Sequence, residues 1–341
     1  MKAILFRSHG GAEVLEAAEL PDPQPGPGEA RVLLKAAALN HLDLWVRSGL
    51  GAGIPMPHIP GSDGAGVVDA VGPGVTLVRP GDSVLIAPGL SCGQCADCRA
   101  GRDSRCPAFR VVGFQTQGTY ATHILVPAEN CIPLPGGMNF IQAAAIPLVF
   151  LTAWHMLFTR AGLRPGETVY VPGAASGVGS AAVQLAVVAG ARVVAAAGSA
   201  EKLKLARSLG AETAFDSSTK DEIEEVRRVT GGRGADVVVD HVGGEHIARS
   251  VGLCARGGRV AVCGQTAGRQ ATLIVRDLYV PEVTVLGCYM GSRWELLDVL
   301  RLFAQGRLTA VVDRTFALTE AAGAQKRMEE RKNLGKLVLV P

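Results

Sequence analysis

Several features are scarce or missing in this sequence, and each absence removes a class of function. The 341 residues contain no basic run interleaved with aromatics, and the formal net charge is only +3. A nucleic-acid surface needs clustered Lys and Arg and is not expected; a phosphate-bearing small molecule accounts for so mild a positive balance. The first residues, Met1-Lys2-Ala3-Ile4-Leu5-Phe6-Arg7-Ser8-His9, have no long apolar core or cleavage site, which argues against export and for a cytoplasmic protein. The most apolar stretch, Ile141 to Phe158, is interrupted by Gln142, Pro147 and His155. It reads as a buried helix bent or started at Pro147 rather than a membrane span. No fixed-period repeat or low-complexity tail is present. What remains is globular, with 48% hydrophobic and 19% charged residues over a length that accommodates two cores.

The chain is best read outward from residues 169–202. An apolar β-favouring segment, Thr168–Val171, runs through a cluster of small residues into an Ala/Val/Leu-rich helical segment and then into a second apolar run, Arg192–Ala197. This is a strand-turn-helix-strand unit. Its turn, Gly173-Ala174-Ala175-Ser176-Gly177-Val178-Gly179, holds nothing bulky except Val178, so a pyrophosphate can approach the backbone while the first helical N–H groups point at it. The strict G-x-G-x-x-G is absent, because Ala174 and Ser176 stand at its first two glycines. Ala174, Ala175, Ser176, Gly177, Val178 and Gly179 are candidate dinucleotide contacts; a tight turn without a ligand is the alternative. Helical and strand-like segments keep alternating afterwards: Glu201–Leu209, Thr213–Phe215, Asp221–Val229, Ala235–Asp240, Glu245–Cys254, Arg259–Cys263 and Val283–Leu286. Such alternation predicts a doubly wound parallel sheet.

The tip of the second strand bears on cofactor choice. An NAD site usually places Asp or Glu about 20 residues after the glycines. Here residues 195–202 read Ala-Ala-Ala-Gly-Ser-Ala-Glu-Lys, with no acid at the strand tip. Ser199 and Lys202 can hydrogen-bond and neutralise a 2′-phosphate, which favours NADPH over NADH. Equally, Ser199 can N-cap the next helix while Lys202 lies on its solvated face.

Residues 1–90 lack this rhythm. Short strand-like pieces, Ala3–Phe6, Ala30–Ala37, Gly66–Val71 and Ser83–Ala87, are separated by Pro/Gly punctuation, which predicts an antiparallel, partly barrel-like β domain with a helix over Leu42–Arg47. Cys92, Cys95, Cys98 and Cys106 follow as C-x2-C-x2-C-x7-C. Four thiolates in a short loop suit one structural Zn²⁺ with a closed S₄ shell. An Fe–S cluster is the rival, and two disulfides are disfavoured without an export signal. Arg99, Arg102 and Arg105 can offset the charge of such a site or be ordinary exposed arginines. Cys131, Cys254, Cys263 and Cys288 lie singly in apolar surroundings and read as core residues. His9, His58, His123, His155, His241 and His246 show no metal-ligand spacing on one helical face.

A β domain with a four-cysteine lobe, a dinucleotide fold and a C-terminal return resembles the medium-chain dehydrogenase/reductase superfamily of zinc-type alcohol dehydrogenases. Asn40-His41-Leu42-Asp43 with Arg47-Ser48-Gly49, residues 61–68 (GSDGAGVV), Ala144–Trp154, Gly177-Val178-Gly179 with Gln184-Leu185-Ala186, and residues 335–339 (GKLVL) look like its quinone oxidoreductase branch. The resemblance implies an α/β chain: a GroES-like catalytic domain (residues 1–147 and 289–341, lobe about 90–110) and a Rossmann domain (148–288). It also implies a cofactor contact at Thr152, a substrate cleft between domains, and a homodimer or homotetramer assembled through the edge near Val283–Leu286. Arg293–Gln305 reads as an amphipathic helix leading back to the first domain, Leu334–Val340 as a strand there, and Lys336 can reach the cofactor phosphates.

Departures from the family pattern carry equal weight. Zinc alcohol dehydrogenases of this superfamily carry a catalytic Cys at the place of Asn40, His-Glu at Ser62-Asp63, and a second Cys near Pro147. Leu42 and Trp45 occupy the places of the proton relay. Asn and Ser are poor zinc ligands. Without a Lewis acid, alcohol oxidation is hard, whereas a quinone or α,β-unsaturated carbonyl needs only positioning and one or two hydrogen-bond donors. Asn40, His41 and Arg47 are candidate donors, with Asp43 orienting one of them or the cofactor; helix capping and first- or last-turn roles are the plain alternatives. The tyrosine that related quinone reductases carry after this segment is missing, since Leu50-Gly51-Ala52-Gly53 follows. The expected function is NADPH-dependent reduction of a small electrophile. The alternatives are an alcohol/aldehyde dehydrogenase with a makeshift metal on Asp63 and His41, and a non-catalytic NADPH-binding protein.

Overall fold

The computed structural model describes residues 1–49 and 53–341. The segment Leu50-Gly51-Ala52, part of the stretch that lacks the tyrosine of related quinone reductases, lies outside the described residues. The chain divides into two compact units. One comprises residues 1–148, 292–305 and 309–341; the other comprises 149–291 and 306–308.

The second unit is built on a six-stranded parallel sheet. Its order across the sheet is Thr213–Asp216, Arg192–Ala197, Thr168–Val171, Ala235–Asp240, Cys254–Val262 and Thr284–Gly287. Numbered along the chain this is 3-2-1-4-5-6, the doubly wound order, which reverses direction beside the first strand. Val169, Tyr170, Val171, Val237, Val238 and Val239 are fully buried. Strands with helices on both faces read as continuous apolar runs, and each buried Val contributes about 1.5–3 kcal/mol. The fifth strand begins earlier than the sequence suggests, at Cys254, directly after the helix His246–Leu253. Its register against the fourth strand shifts between Ala235 and Val237, and Gly257 at φ +73° absorbs the irregularity. Glycine at that point masked the strand's start.

In the first unit the main sheet of the described residues runs Val312–Ala317, Lys336–Val340, Glu29–Ala38, Asp63–Val71, Ser83–Ile86 and Cys131–Pro133, with His123–Pro127 also paired to Glu29–Ala38. All these pairings are antiparallel except the first, which is parallel and is connected through the helix Ala321–Glu329. The C-terminal strand therefore lies against Glu29–Ala38, pairing Val338 with Ala38 and Leu339 with Ala37. Asp63 is paired with Ala38 on the other side. This register brings Asn40, Asp63 and Lys336 to one end of three adjacent strands. The helix His41–Arg47 starts there, and Phe140–Ala144 and the beginning of Pro147–Trp154 follow the sheet. The apolar stretch 141–158 is thus broken at Pro147 and widens into a π-helical segment at His155–Arg160. No described helix is long and apolar enough to cross a membrane.

Candidate active site and zinc lobe

The lobe forms locally. Cys95 caps the short helix Ala96–Arg99, and the backbone N–H groups of Cys92, Cys95 and Cys98 donate to the sulfurs of Cys106, Cys92 and Cys95 at 3.4–3.5 Å. The four Sγ atoms lie within 4.8 Å of one another, with Cys92 and Cys98 3.9 Å apart. Thiolates bound at about 2.3 Å to a tetrahedral zinc sit roughly 3.8 Å from each other, so the four residues fit a closed structural zinc site. Of the nearby arginines, Arg102 is committed to Asp97 at 3.0 Å. Asp103 is buried and accepts the Arg293 N–H at 3.2 Å, fastening the lobe to the helix Arg293–Ala304. Cys131 and Cys254 belong to apolar cores, and burial pushes both thiols up to about 12.

In the parallel-sheet unit, Ser176 N-caps the helix Gly177–Val188 through a 3.0 Å bond from Gly179 N–H. Gly173 has φ +52°. A Cβ on Gly179 would lie 2.3 Å from the Gly173 carbonyl oxygen, so only glycine allows this approach of helix to turn. Ala174 and Ala175 are buried beside them. These residues fit a dinucleotide cradle. The sequence reading missed His241, whose Nε2 lies 3.1 Å from Ser176 Oγ. It follows the strand Ala235–Asp240, which pairs with Thr168–Val171, so both strands deliver their carboxyl ends to the same place. That adjacency was the available signal. Ser199 caps the helix Ala200–Ser208 by accepting from Lys202 N–H at 3.4 Å, and Lys202 is half-buried. Thr152 is buried on the helix Pro147–Trp154.

The remaining candidates meet in the first unit. Asn40 occupies the N-cap position of His41–Arg47, and its backbone N–H is held by Asp43 Oδ2 at 2.9 Å. Its side chain turns inward. Lys336 Nζ donates to Asn40 Oδ1 at 2.6 Å and to Asp63 Oδ2 at 2.9 Å, while Asn40 Nδ2 donates to Asp63 Oδ2 at 2.9 Å. An ammonium only donates and a carboxylate only accepts, so the amide orientation follows. Asp63 Oδ1 accepts from Leu148 N–H at 2.9 Å, and Thr119 Oγ1 donates to the Asp63 carbonyl at 2.8 Å. Asp63 is 0% exposed and Lys336 4% exposed, so the ion pair is held away from water.

From the sequence, Lys336 is expected to reach the cofactor phosphates. The structure places its ammonium between Asn40 and Asp63 instead, because the register of the C-terminal strand carries it to that buried carboxylate. Arg47 likewise is neither an exposed last-turn cation nor a free donor. It is 2% exposed and bonded to Gln325, Glu329 and the Gly10 carbonyl.

Asp43 is fully buried and accepts from Tyr120 Oη at 2.9 Å, a partner the sequence did not reveal. Burial pushes its carboxyl up to about 7, against the opposing pull of the Asn40 N–H, the Tyr120 hydroxyl and Lys336. Its Oδ1 has no hydrogen-bond partner among the described residues. His41, half-buried, is held down to about 4 by burial first and then by the Lys336 and Arg331 cations, so its imidazole is neutral at pH 7. Ser62 Oγ is buried without a hydrogen-bond partner among the described residues.

A catalytic metal does not fit this donor set. The two oxygens best placed to ligate one, Asn40 Oδ1 and Asp63 Oδ2, already share the Lys336 ammonium. A cation arriving there would meet a buried positive charge. The metal-on-Asp63 alternative is therefore disfavoured by the residues themselves.

Comparison with known proteins agrees with this architecture. The alcohol dehydrogenase GroES-like domain family matches residues 26–136, and the zinc-binding dehydrogenase family matches residues 177–305. A quinone oxidoreductase of Pseudomonas aeruginosa is 33% identical, covering 100% of this chain and 99% of its own. A crystal structure of an NAD-dependent alcohol dehydrogenase is 47% identical with a TM-score of 0.96, covering 100% of both chains. A cobalt- and zinc-bound thermostable alcohol dehydrogenase from Pyrobaculum aerophilum is 35% identical with a TM-score of 0.91, covering 100% of this chain and 99% of its own. With a GroES-like unit, a four-cysteine zinc lobe and a doubly wound nucleotide unit matched along its length, the chain belongs to the medium-chain dehydrogenase/reductase superfamily and is an NAD(P)-dependent oxidoreductase of that type.

Proposed function

We propose that the chain is an NADPH-dependent reductase of quinones or activated C=C bonds, in the manner of the quinone oxidoreductase branch, with one structural zinc per chain and no metal at the hydride-transfer site. The observation that carries this reading is the Lys336 ammonium seated on Asn40 and Asp63. A bound nicotinamide supplies two electrons as hydride. Conjugation in the acceptor moves the resulting negative charge to its oxygen, where a hydrogen-bond donor stabilises it. Asn40 is the residue for that role: on an amide fixed by Lys336, one Nδ2–H is spent on Asp63 and no second partner for Nδ2 is present among the described residues. His41, neutral at pH 7, is a second donor. The proton that completes reduction comes from solvent.

The preference for NADPH rests on Gly198-Ser199 and Lys202 at the tip of Arg192–Ala197, where an NAD site would carry an acid. The likeness to an NAD-dependent alcohol dehydrogenase favours a second reading, NAD-linked alcohol oxidation. Purified protein separates the two. The first expects NADPH oxidation with quinones or enones that survives mild chelation, and about one zinc per chain. Alcohol oxidation with NAD, lost together with a second zinc, would establish the other. The physiological assembly is proposed to be a homodimer through the sheet edge at Thr284–Gly287, supported by the exposed Ile274, Val275, Tyr279, Val285 and Tyr289 around it.

A further inference from the structure

The buried cluster raises the question of what the Lys336 charge is for. A buried ion pair is at best weak evidence for stability, because desolvating two charges costs several kcal/mol each. This pair also holds a third group. Lys336 Nζ bonds the oxygen of Asn40, Asp63 Oδ2 accepts from the nitrogen of the same amide, and Asp63 Oδ1 is closed by Leu148 N–H. The amide is thereby gripped at both ends by full charges of opposite sign. Such bonds are stronger than neutral ones, and a cation on the amide oxygen draws density from its nitrogen and sharpens the remaining N–H as a donor.

We infer that Lys336 is a built-in cation that does here what a catalytic metal would do: it polarises and positions the Asn40 amide for the acceptor, balances the buried Asp63 carboxylate, and keeps divalent cations off these oxygens. Lys336 is thus a positioning residue acting through Asn40. The catalytic half of the inference rests on the reductase reading above; the metal-exclusion half does not.

Cobalt titration of protein carrying its lobe zinc, followed by visible absorption and elemental analysis, tests the exclusion. Wild type is expected to take up no additional Co²⁺. Lys336→Met, which leaves Asp63 charged and open, is expected to bind a further Co²⁺ at least about tenfold more tightly than wild type, equivalent to about 1.4 kcal/mol. Lys336→Met with Asp63→Asn should lose that gain. Uptake of an additional ion by wild type, or equal uptake by wild type and Lys336→Met, overturns the inference. If Lys336→Met does not fold, Lys336→Gln, which keeps a donor for Asp63 without the charge, carries the same test. In the enone assay, Lys336→Met is expected to lower kcat by roughly 10- to 100-fold with KM for NADPH within about twofold. An unchanged kcat overturns the positioning role while leaving the reductase reading intact. Absence of turnover in wild type removes the reductase reading, and the cobalt result then decides the inference.

Discussion

At the scale of single residues, Asp43 shows how burial converts an ordinary helix-capping acid into a proton store. In the unfolded chain its carboxyl ionises near its ordinary value of 3.8, whereas in the folded protein it holds its proton to about 7. Between those values the folded state binds more protons. This group therefore makes stability fall as pH rises from about 4 to 7, by up to about 1.4 kcal/mol per pH unit. Asp43→Asn cannot ionise, yet its amide oxygen can still accept from Asn40 N–H and Tyr120 Oη. The variant is expected to show a flatter dependence of unfolding free energy on pH than wild type across that window, as measured by urea denaturation. An unaltered slope would mean that Asp43 is already ionised in the folded protein.

At the scale of elements, a charged histidine ties strand to helices. His246, on the helix His246–Leu253, places Nδ1 3.0 Å from Asp240 Oδ2 and Nε2 3.3 Å from Glu222 Oε2, while Ser250 Oγ donates to Asp240 Oδ2 at 2.7 Å. Burial alone would lower the imidazole pKa, but the Asp240 hydrogen bond and the charges of Asp240 and Glu222 outweigh it and carry the value up to about 9. For Asp240, burial is likewise outweighed by His246, the Gly243 N–H and Ser250, giving about 2. The His246 contribution is complete below about 6.5 and is lost as pH rises through about 9; that of Asp240 is complete above about 4 and is lost as pH falls through about 2. His246→Ala leaves the buried Asp240 without its cation, while Glu222 keeps only Arg249 at 3.6 Å. It is expected to cost about 3–5 kcal/mol near neutral pH and less near pH 10, where wild type has lost the pair as well. Denaturant midpoints at the two pH values check the sign.

The zinc lobe is the other element whose role is testable in isolation. Its four cysteines lie on a short loop with little apolar core of its own, so metal coordination is expected to supply most of its order. Cys98→Ser is expected to reduce bound zinc from about one per chain to well below that, and to make residues near 92–106 the first site of proteolysis. Binding of NADPH to the parallel-sheet unit should persist. Protection of the lobe without zinc would show that side-chain packing, including Asp103 on Arg293, is sufficient.

At the scale of the whole molecule, the sheet edge at Thr284–Gly287 and its apolar neighbours bear on assembly. Tyr279 is 66% exposed and Val285 38% exposed, a surface that a single chain would ordinarily keep polar. Tyr279→Glu with Val285→Glu is expected to shift the protein from about twice the chain mass to the 35.4 kDa monomer in sedimentation, with cofactor binding retained. A wild-type monomer would remove the homodimer from the proposal.

Much of this architecture was legible in the linear chain because its signals are local. The strands Thr168–Val171, Arg192–Ala197 and Ala235–Asp240 stand where their apolar runs placed them, since a strand covered on both faces must be apolar throughout. The four cysteines could be read from spacing, because ligands to one ion within fifteen residues need no distant partner. The placement of Lys336 was of another kind. Asn40 and Lys336 are 296 residues apart, and only the pairing of the C-terminal strand with Glu29–Ala38 brings the ammonium to the amide. The same holds for Tyr120 on Asp43 and Arg47 on Glu329. The chain's own order of residues determined the family, the nucleotide turn and the metal lobe; the tertiary structure alone decided which charge stands beside Asn40 and Asp63, because long-range strand register, not local propensity, sets which buried groups meet.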